Sequence, residues 1–406
     1  PLPAHAGRVI GMSLPDRGFP RTEYEQRATR AHGLMAALEL DALLVCTEPE
    51  VRYLTGFHTP FWQSPTRPWF VVLPADGTPV AVIPEIGASA MAGTWLDDIR
   101  TWPAPRPTDD GLSLLVETLR EVSGRRPGST GRIGLPMGPE THVRMPLADL
   151  DALRDRILPL DLVDATEVVR GLRMVKSDLE IRKVAHVCDV VSGAFEGIPD
   201  LLSTGMTERE AFAAFRVDLL QRGADDVPYL VGASGPGFDD IIKQPSDRVI
   251  GTGDLLMFDT GTTFDGYFCD FDRYVAFGRA DDDAMRAYGT AWAATEAGLA
   301  AVRPGATTSD LWRAMVRVLE GGGPLGSSPG NSVGRLGHGL GMQVTEWPSN
   351  TGDDDTVLAE GMVLTLEPSL TWAPGRMMVH EENLVVRADG PELLSRRAPA
   401  ELPIIN

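Results

Sequence analysis

The sequence predicts a two-domain chain, with an α/β unit over residues 1–165 followed by an α+β unit over residues 166–406. Three observations predict this. A chain of 406 residues is long for a single hydrophobic core. Strand and helix signals alternate as far as Val163. After a connecting segment, two helical stretches give way to hairpins and glycine-rich loops.

Taken in order, a leader containing Pro and Gly precedes a predicted helix from Thr22 to Leu40. Leu43 to Val45 reads as a short buried strand. Phe70 to Leu73 and Val80 to Ile83 read as a hairpin joined through Ala75, Asp76 and Gly77. Between the Leu43–Val45 strand and this hairpin lies an aromatic run with Tyr53, Phe57, Phe61, Trp62, Trp69 and Phe70, interleaved with Pro60, Pro65, Arg67 and Pro68. In the second unit Ser177 with Glu180, and Thr207 with Glu210, are capping boxes that open helices. Further helices are expected over 281–302 and 309–319. A glycine-dense run then leads into a strand-rich end.

Composition narrows the function. Thirty-seven Lys and Arg face 57 Asp and Glu, a formal charge of −20. Such a field repels nucleic acid and anionic membrane surfaces. It leaves neutral or cationic small molecules as the easier partners. Cys46, Cys188 and Cys269 are widely spaced and form no CxxC, so neither a disulfide framework nor a thiolate metal site is expected. No apolar run approaches membrane-spanning length, and the leader lacks a signal-peptide core; the expected location is the cytoplasm.

The chemistry gathers around Leu255 to Gly278. Two apolar runs flank Asp259, Asp265, Asp270 and Asp272, with Asp265–Gly266 midway as a hairpin signal. A two-residue loop there pairs Phe264 with Tyr267, Gly261 with Asp270, and Asp259 with Asp272. Asp259, Asp270 and Asp272 then share one face. Carboxylates crowded on one face repel unless a positive group neutralises them, which asks for a metal. An acidic, solvated hairpin is the other reading of this stretch alone. Downstream, His338 stands among Gly337, Gly339 and Gly341, Glu367 ends an apolar strand before Pro368, and Glu381 sits in MVHEENLVV. Two Asp, one His and two Glu make a ligand list. Four carboxylates balance two divalent cations, and oxygen ligands with one nitrogen suit Mn, Fe, Co or Zn.

These motifs resemble the pita-bread metalloenzymes, the family of methionine aminopeptidase, aminopeptidase P, prolidase and creatinase. Asp259, Gly261, Gly266, Tyr267 and Asp270 match its D-x-G-x4-G-Y-x2-D, followed by Arg273. Gly337 to Gly341 match its G-H-G-x-G, Glu367–Pro368 its E-P, and Glu381–Glu382 its closing E-[DE]. Leu40 to Pro84 resembles the N-terminal domain of the longer prolidase and creatinase members. The resemblance implies a pita-bread catalytic domain behind a smaller creatinase-like domain, and a homodimer. It implies Asp259, Asp270, His338, Glu367 and Glu381 as metal ligands, with Asp270 and Glu381 bridging. Catalysis would then fall to Glu367, Asp270 and His338, Glu367 assisting proton transfer, with Asp272 in support.

Departures from the family concern substrate reading. Ile242 stands where proline peptidases usually carry a His, Thr345 where they carry another, and Val379 where they often carry an Arg. The substrate-binding candidates are therefore Tyr267, Thr345, Trp62, Trp69 and His380. The leading expectation is a metal-dependent hydrolase cleaving Xaa-Pro bonds in small peptides. The alternative is a lyase of the dimethylsulfoniopropionate type or a C–N hydrolase acting on a small charged metabolite. For such a substrate the aromatic run, with Trp347 and Trp372, would form a cation cage; packing in the core or at a dimer interface is the favoured reading of the same residues. Against the sulfonium lyase, the position that lyase is expected to fill with an additional Asp is Gly261. An inactive binding module is a third possibility, against which the intact ligand list argues.

Overall fold

The computed structural model describes residues 14–64, 67–124, 128–323 and 334–406. The leader through residue 13, Pro65 and residues 324–333 of the glycine-dense run lie outside the described residues. The chain divides into two compact units, Asp16–Arg173 and Met174–Asn406.

The first unit is built on a six-stranded mixed sheet of β1 (Ala42–Val45), β2 (Phe70–Pro74), β3 (Val80–Pro84), β4 (Ile99–Trp102), β5 (Arg132–Leu135) and β6 (Asp161–Asp164). Their order is β4-β3-β2-β1-β5-β6. β1, β2 and β3 run antiparallel, so the predicted Phe70–Ile83 hairpin forms, while the outer pairings are parallel. β1, β2 and β3 are buried throughout, as strands covered on both faces must be. Leu44, Val72 and Val82 pack against Leu115, Leu119, Leu150 and Leu153 from helices Leu112–Gly124 and Leu147–Ile157. The helix expected from Thr22 spans Arg21–Ala37.

In the second unit both capping boxes form, opening helices Asp178–Glu196 and Glu208–Arg222. Further helices span Asp282–Ala301 and Thr308–Arg317. One sheet joins β7 (Asp226–Gly235), β8 (Leu255–Phe264), β9 (Tyr267–Phe268) and β10 (Phe271–Phe277) with the terminal β18 (Ile404–Ile405). A second runs β12-β11-β13-β16-β17, made of β11 (His338–Gly339), β12 (Glu346–Ser349), β13 (Val363–Leu366), β16 (Glu382–Arg387) and β17 (Gly390–Leu393). β14 (Ser369–Ala373) and β15 (Arg376–Val379) form a separate hairpin.

β8 is covered on both faces, and its alternation shows how. Leu255 and Met257 join Tyr274 and Ala276 of β10 in a core shared with Ala287, Ala291 and Ala294 of the helix Asp282–Ala301. On the opposite face Phe258 stacks on Phe215 at 4.6 Å, and Phe264 meets the His186 ring at 4.4 Å. The core-facing series continues along the strand to Asp259. The metal face is thus the polar continuation of a hydrophobic one.

Candidate metal centre

The hairpin register is the one the two-residue loop requires. Phe264 pairs with Tyr267 and Asp259 with Asp272. Asp265 and Gly266 have φ of 47° and 78°, the double left-handed geometry of a type I′ turn. The turn is tied down at both ends. Asp265 pairs with Lys183, a buried cation, and its backbone N–H donates to Asp225 Oδ2 at 2.7 Å. Asp270 lies where the ladder opens. There Asn383 clamps it, accepting from its N–H at 2.9 Å and donating to its carbonyl.

His338 is delivered by a backbone that tolerates nothing larger than glycine on either side. A Cβ on Gly337 would lie 2.2 Å from the Thr365 carbonyl oxygen, and one on Gly339 1.9 Å from that of Trp347. The His338 N–H donates to Thr365 Oγ1 at 3.1 Å. Its Nδ1 lies 2.8 Å from the Gly339 carbonyl and takes the proton there. That leaves Nε2 as the nitrogen able to coordinate a metal, 3.3 Å from Asp270 Oδ2. β13 ends at Leu366, one residue before Glu367, and Glu381 immediately precedes β16.

Asp270, His338 and Glu381 are buried and offer ligand atoms all within 4.8 Å of one another. Asp259 and Glu367 adjoin this trio. The Tyr229 hydroxyl on β7 is within hydrogen-bond reach of both Asp259 Oδ1, at 3.2 Å, and Asp270 Oδ1. Glu367 interacts electrostatically with His338 and Asp270. Burial pushes the carboxyls of Asp259 and Glu367 up to about 7, and raises those of Asp270 and Glu381 as well. Burial opposes charge on His338, but the Asp270 and Glu367 carboxylates outweigh it and raise its pKa. Asp272 Oδ1 and Glu381 Oε1 are buried without a hydrogen-bond partner among the described residues. A buried orphan carboxylate oxygen, amid carboxyls whose pKa burial raises, fits a cation-binding cage.

Glu382, the next residue, has the opposite fate. Strand alternation turns it to Arg273 at 2.9 Å and Arg397 at 2.9 Å, with Ser395 and the Ala398 N–H completing its bonds. Burial alone would raise its carboxyl, yet Arg273 and its other partners hold it at about 2.

The structure places the substrate-binding candidates among partners of the chain's own. Tyr267 is buried, and its hydroxyl donates to Glu180 Oε1 at 2.9 Å, fastening the hairpin to the helix Asp178–Glu196. His380 faces away from Glu381. Its nitrogens lie 3.0 Å from Thr295 Oγ1 and 3.3 Å from Arg397 Nη1, and burial drops its pKa to about 3. Trp62 and Trp69 belong to the aromatic packing of the first unit, with ring centres 6.1 Å apart and Phe57 5.0 Å from Trp69. The cation on this platform is the chain's own. Arg144 lies 5.3 Å over Trp62 and donates to the carbonyls of Phe61, Trp62, Ser64 and Arg67. Arg376 covers Trp372 in the same way at 5.1 Å. The ring faces of Trp62 and Trp372 are thus occupied by the chain's own arginines. Thr345 is half-buried and accepts from Arg335 Nη2 at 3.3 Å. Ile242 is 76% exposed on the loop between β7 and β8, and Val379 is buried.

Beside Asn383, Tyr229 and Arg335 at the centre also lie outside the sequence-derived set. Tyr229 had a signal, the glycine inside β8. Gly261 pairs with Tyr229, and a Cβ there would lie 2.2 Å from the tyrosine ring. Arg335, three residues before His338, lies 3.9 Å from Glu367 Oε1 through its Nε.

Comparison with known proteins agrees with this geometry. The model of Metallopeptidase family M24 matches residues 182–388, and that of the Creatinase/Prolidase N-terminal domain matches residues 27–175. The first match spans half the chain, and the protein belongs to metallopeptidase family M24. With the Asp270–His338–Glu381 cluster, this makes it a metal-dependent hydrolase of the pita-bread fold. It is 27% identical over 401 residues to the probable dipeptidase PepE of Mycobacterium bovis, covering 96% of this chain and 98% of that one. The Xaa-Pro dipeptidase of Lactobacillus delbrueckii subsp. lactis is 26% identical over 358 residues, 86% of this chain and 91% of its own. Among solved structures, dipeptidase PepE from Mycobacterium ulcerans superposes with a TM-score of 0.80 at 26% identity, covering 95% and 99%. A prolidase from Thermococcus sibiricus reaches 0.82 over 96% and 100%; at 23% identity it speaks for the fold.

Proposed function

We propose that this hydrolase cleaves Xaa-Pro-type peptide bonds in short peptides, using two divalent ions held by Asp259, Asp270, His338, Glu367 and Glu381. The observation that carries the reading is the buried Asp270–His338–Glu381 trio with Asp259 and Glu367 beside it. One ion cannot balance four carboxylates; two can. Relatives named as dipeptidases and Xaa-Pro dipeptidases along nearly the whole chain support the substrate class. When bound, such ions polarise the scissile carbonyl and lower the pKa of water.

The chain's own groups do the rest. Asp270 and Glu381 would help hold the ions, and the Tyr229 hydroxyl, within reach of both Asp259 and Asp270, keeps those two carboxyls in mutual register. Glu367, on the side of Arg335, takes the proton from the attacking water and returns it to the leaving nitrogen. Manganese, iron, cobalt and zinc all suit this donor set, with manganese our first expectation. We also place the enzyme in the cytoplasm as a homodimer. Among the described residues no helix is long and apolar enough to cross a membrane.

The test is turnover of a panel by the metal-loaded protein: Xaa-Pro dipeptides, longer proline peptides, non-proline dipeptides and dimethylsulfoniopropionate. Cleavage of Xaa-Pro dipeptides is expected. Turnover of dimethylsulfoniopropionate alone would replace this reading with the lyase.

A further inference from the structure

We infer that Asp272 is a positioning residue of the metal centre, whose negative charge, set against Asp259 and Glu381, makes the five ligands hold divalent ions more tightly. The chain thereby gives up stability in its metal-free form to gain metal affinity. This rests on the proposed two-ion centre and adds to it a group outside the ligand set.

The placement comes from the hairpin. Asp272 lies directly opposite Asp259 in the β8–β10 ladder. Residues so paired share a face, with Cβ atoms about 4.5–5.5 Å apart, and like charges there repel. The Glu381 carboxylate feels the charges of Asp259 and Asp272 together with those of Asp270 and Glu367. Asp272 also accepts a hydrogen bond from the Glu381 backbone N–H, which ties it to a ligand position. Its side chain is buried, and Oδ1 has no hydrogen-bond partner among the described residues.

The chain's own cation at this point serves another group. Arg273 Nη1 donates to the carbonyls of Asp272 and Glu381. Its Nη2 donates to Glu382 Oε2 at 2.9 Å and to the Arg396 carbonyl. Its ion pair is thus with Glu382, which holds Arg397 as well. A buried carboxylate without a paired cation is costly. Four ligand carboxylates already balance two divalent ions, and Asp272 leaves one negative charge in excess. That excess is repelled by its neighbours in the metal-free chain and attracted once the ions are bound.

A purely structural role predicts otherwise. The bond from the Glu381 N–H is accepted equally well by an amide oxygen, so Asp272→Asn removes the charge while keeping shape and bond. The experiment measures manganese affinity, by competition with a chromogenic chelator, and Tm with and without manganese. It uses the wild type, Asp272→Asn and Asp272→Ser at one fixed pH. Asp272→Asn should bind manganese about 10–100-fold more weakly. Its metal-free Tm should equal or exceed that of the wild type, while the rise in Tm on adding manganese shrinks. Asp272→Ser, also neutral, should lose a similar factor in affinity, and it decides the matter if Asp272→Asn does not fold. Unchanged affinity in the neutral variants overturns the inference. So does a lowered metal-free Tm in both variants with the manganese-induced rise intact, since that is the mark of a structural role. A wild type that binds manganese but cleaves no Xaa-Pro peptide loses the peptide reading alone, and the affinity ratio still decides Asp272. A wild type that binds no divalent ion overturns both.

Discussion

At the scale of single residues, the centre depends on groups whose identity follows from what they touch. Gly261 has no side chain because the Tyr229 ring occupies that space, and the ring in turn brings its hydroxyl to Asp259 and Asp270. Gly261→Ala should therefore destabilise the protein by about 1–3 kcal/mol in urea unfolding. Combined with Tyr229→Ala, the cost should fall below the sum of the two single changes. Strict additivity would show that the ring and the glycine do not share that space. Glu381 and Glu382 show how one step along a strand separates two roles. The first keeps an orphan oxygen toward the metal face; the second is wholly spent on Arg273, Arg397 and Ser395. Arg273→Met leaves Glu382 partly uncompensated and should cost about 3–5 kcal/mol. A change within about 0.5 kcal/mol would mean that Arg397 alone satisfies it.

At the scale of elements, the β8–β10 hairpin carries the design. Its register was legible because two local facts agree: an Asp-Gly pair that takes left-handed φ readily, and an apolar alternation with one face in the core. The capping boxes and the strand ends at Glu367 and Glu381 were legible for similar, local reasons. What was not legible came from elements distant in sequence. Asn383 reaches Asp270 from β16 across 113 residues, and nothing near either residue announces it. For the aromatic run, composition cannot tell which cation fills a platform; Arg144 does so from 82 residues beyond Trp62. For Tyr267 and His380, strand position gives a face but not the partner waiting there, Glu180 for the one and Thr295 for the other. The Asn383 clamp yields its own prediction. Asn383→Leu orphans the N–H and carbonyl of Asp270, at about 1–3 kcal/mol for each group. By loosening a ligand's support it should also weaken metal affinity about 10–100-fold. Titration calorimetry with unchanged affinity would reduce Asn383 to a purely structural role.

At the scale of the whole molecule, the acidic cluster links stability to pH and to metal. Asp259 and Glu367 hold their protons to about pH 7 in the folded, metal-free chain, against ordinary values of 3.8 and 4.5. The folded state thus binds protons that the unfolded state has released. The stability these groups contribute is full below their ordinary values and is lost as pH rises through about 7. Glu382, held at about 2, has completed its own change below this window. Metal-free protein should therefore lose thermal stability between about pH 5 and pH 7.5, and divalent ions should restore it, because they bind the deprotonated carboxylates. A metal-free Tm that rises across that window would contradict the linkage.

The most direct test of the central claim, a dinuclear centre built on this hairpin, is the metal content of the purified chain after loading and removal of excess ion. The account predicts two divalent ions per chain in the wild type and a sharp loss of metal in Asp270→Ala, since that carboxylate belongs to the buried cluster proposed to hold them. One ion or fewer per chain in the wild type, or full occupancy retained in Asp270→Ala, would contradict it.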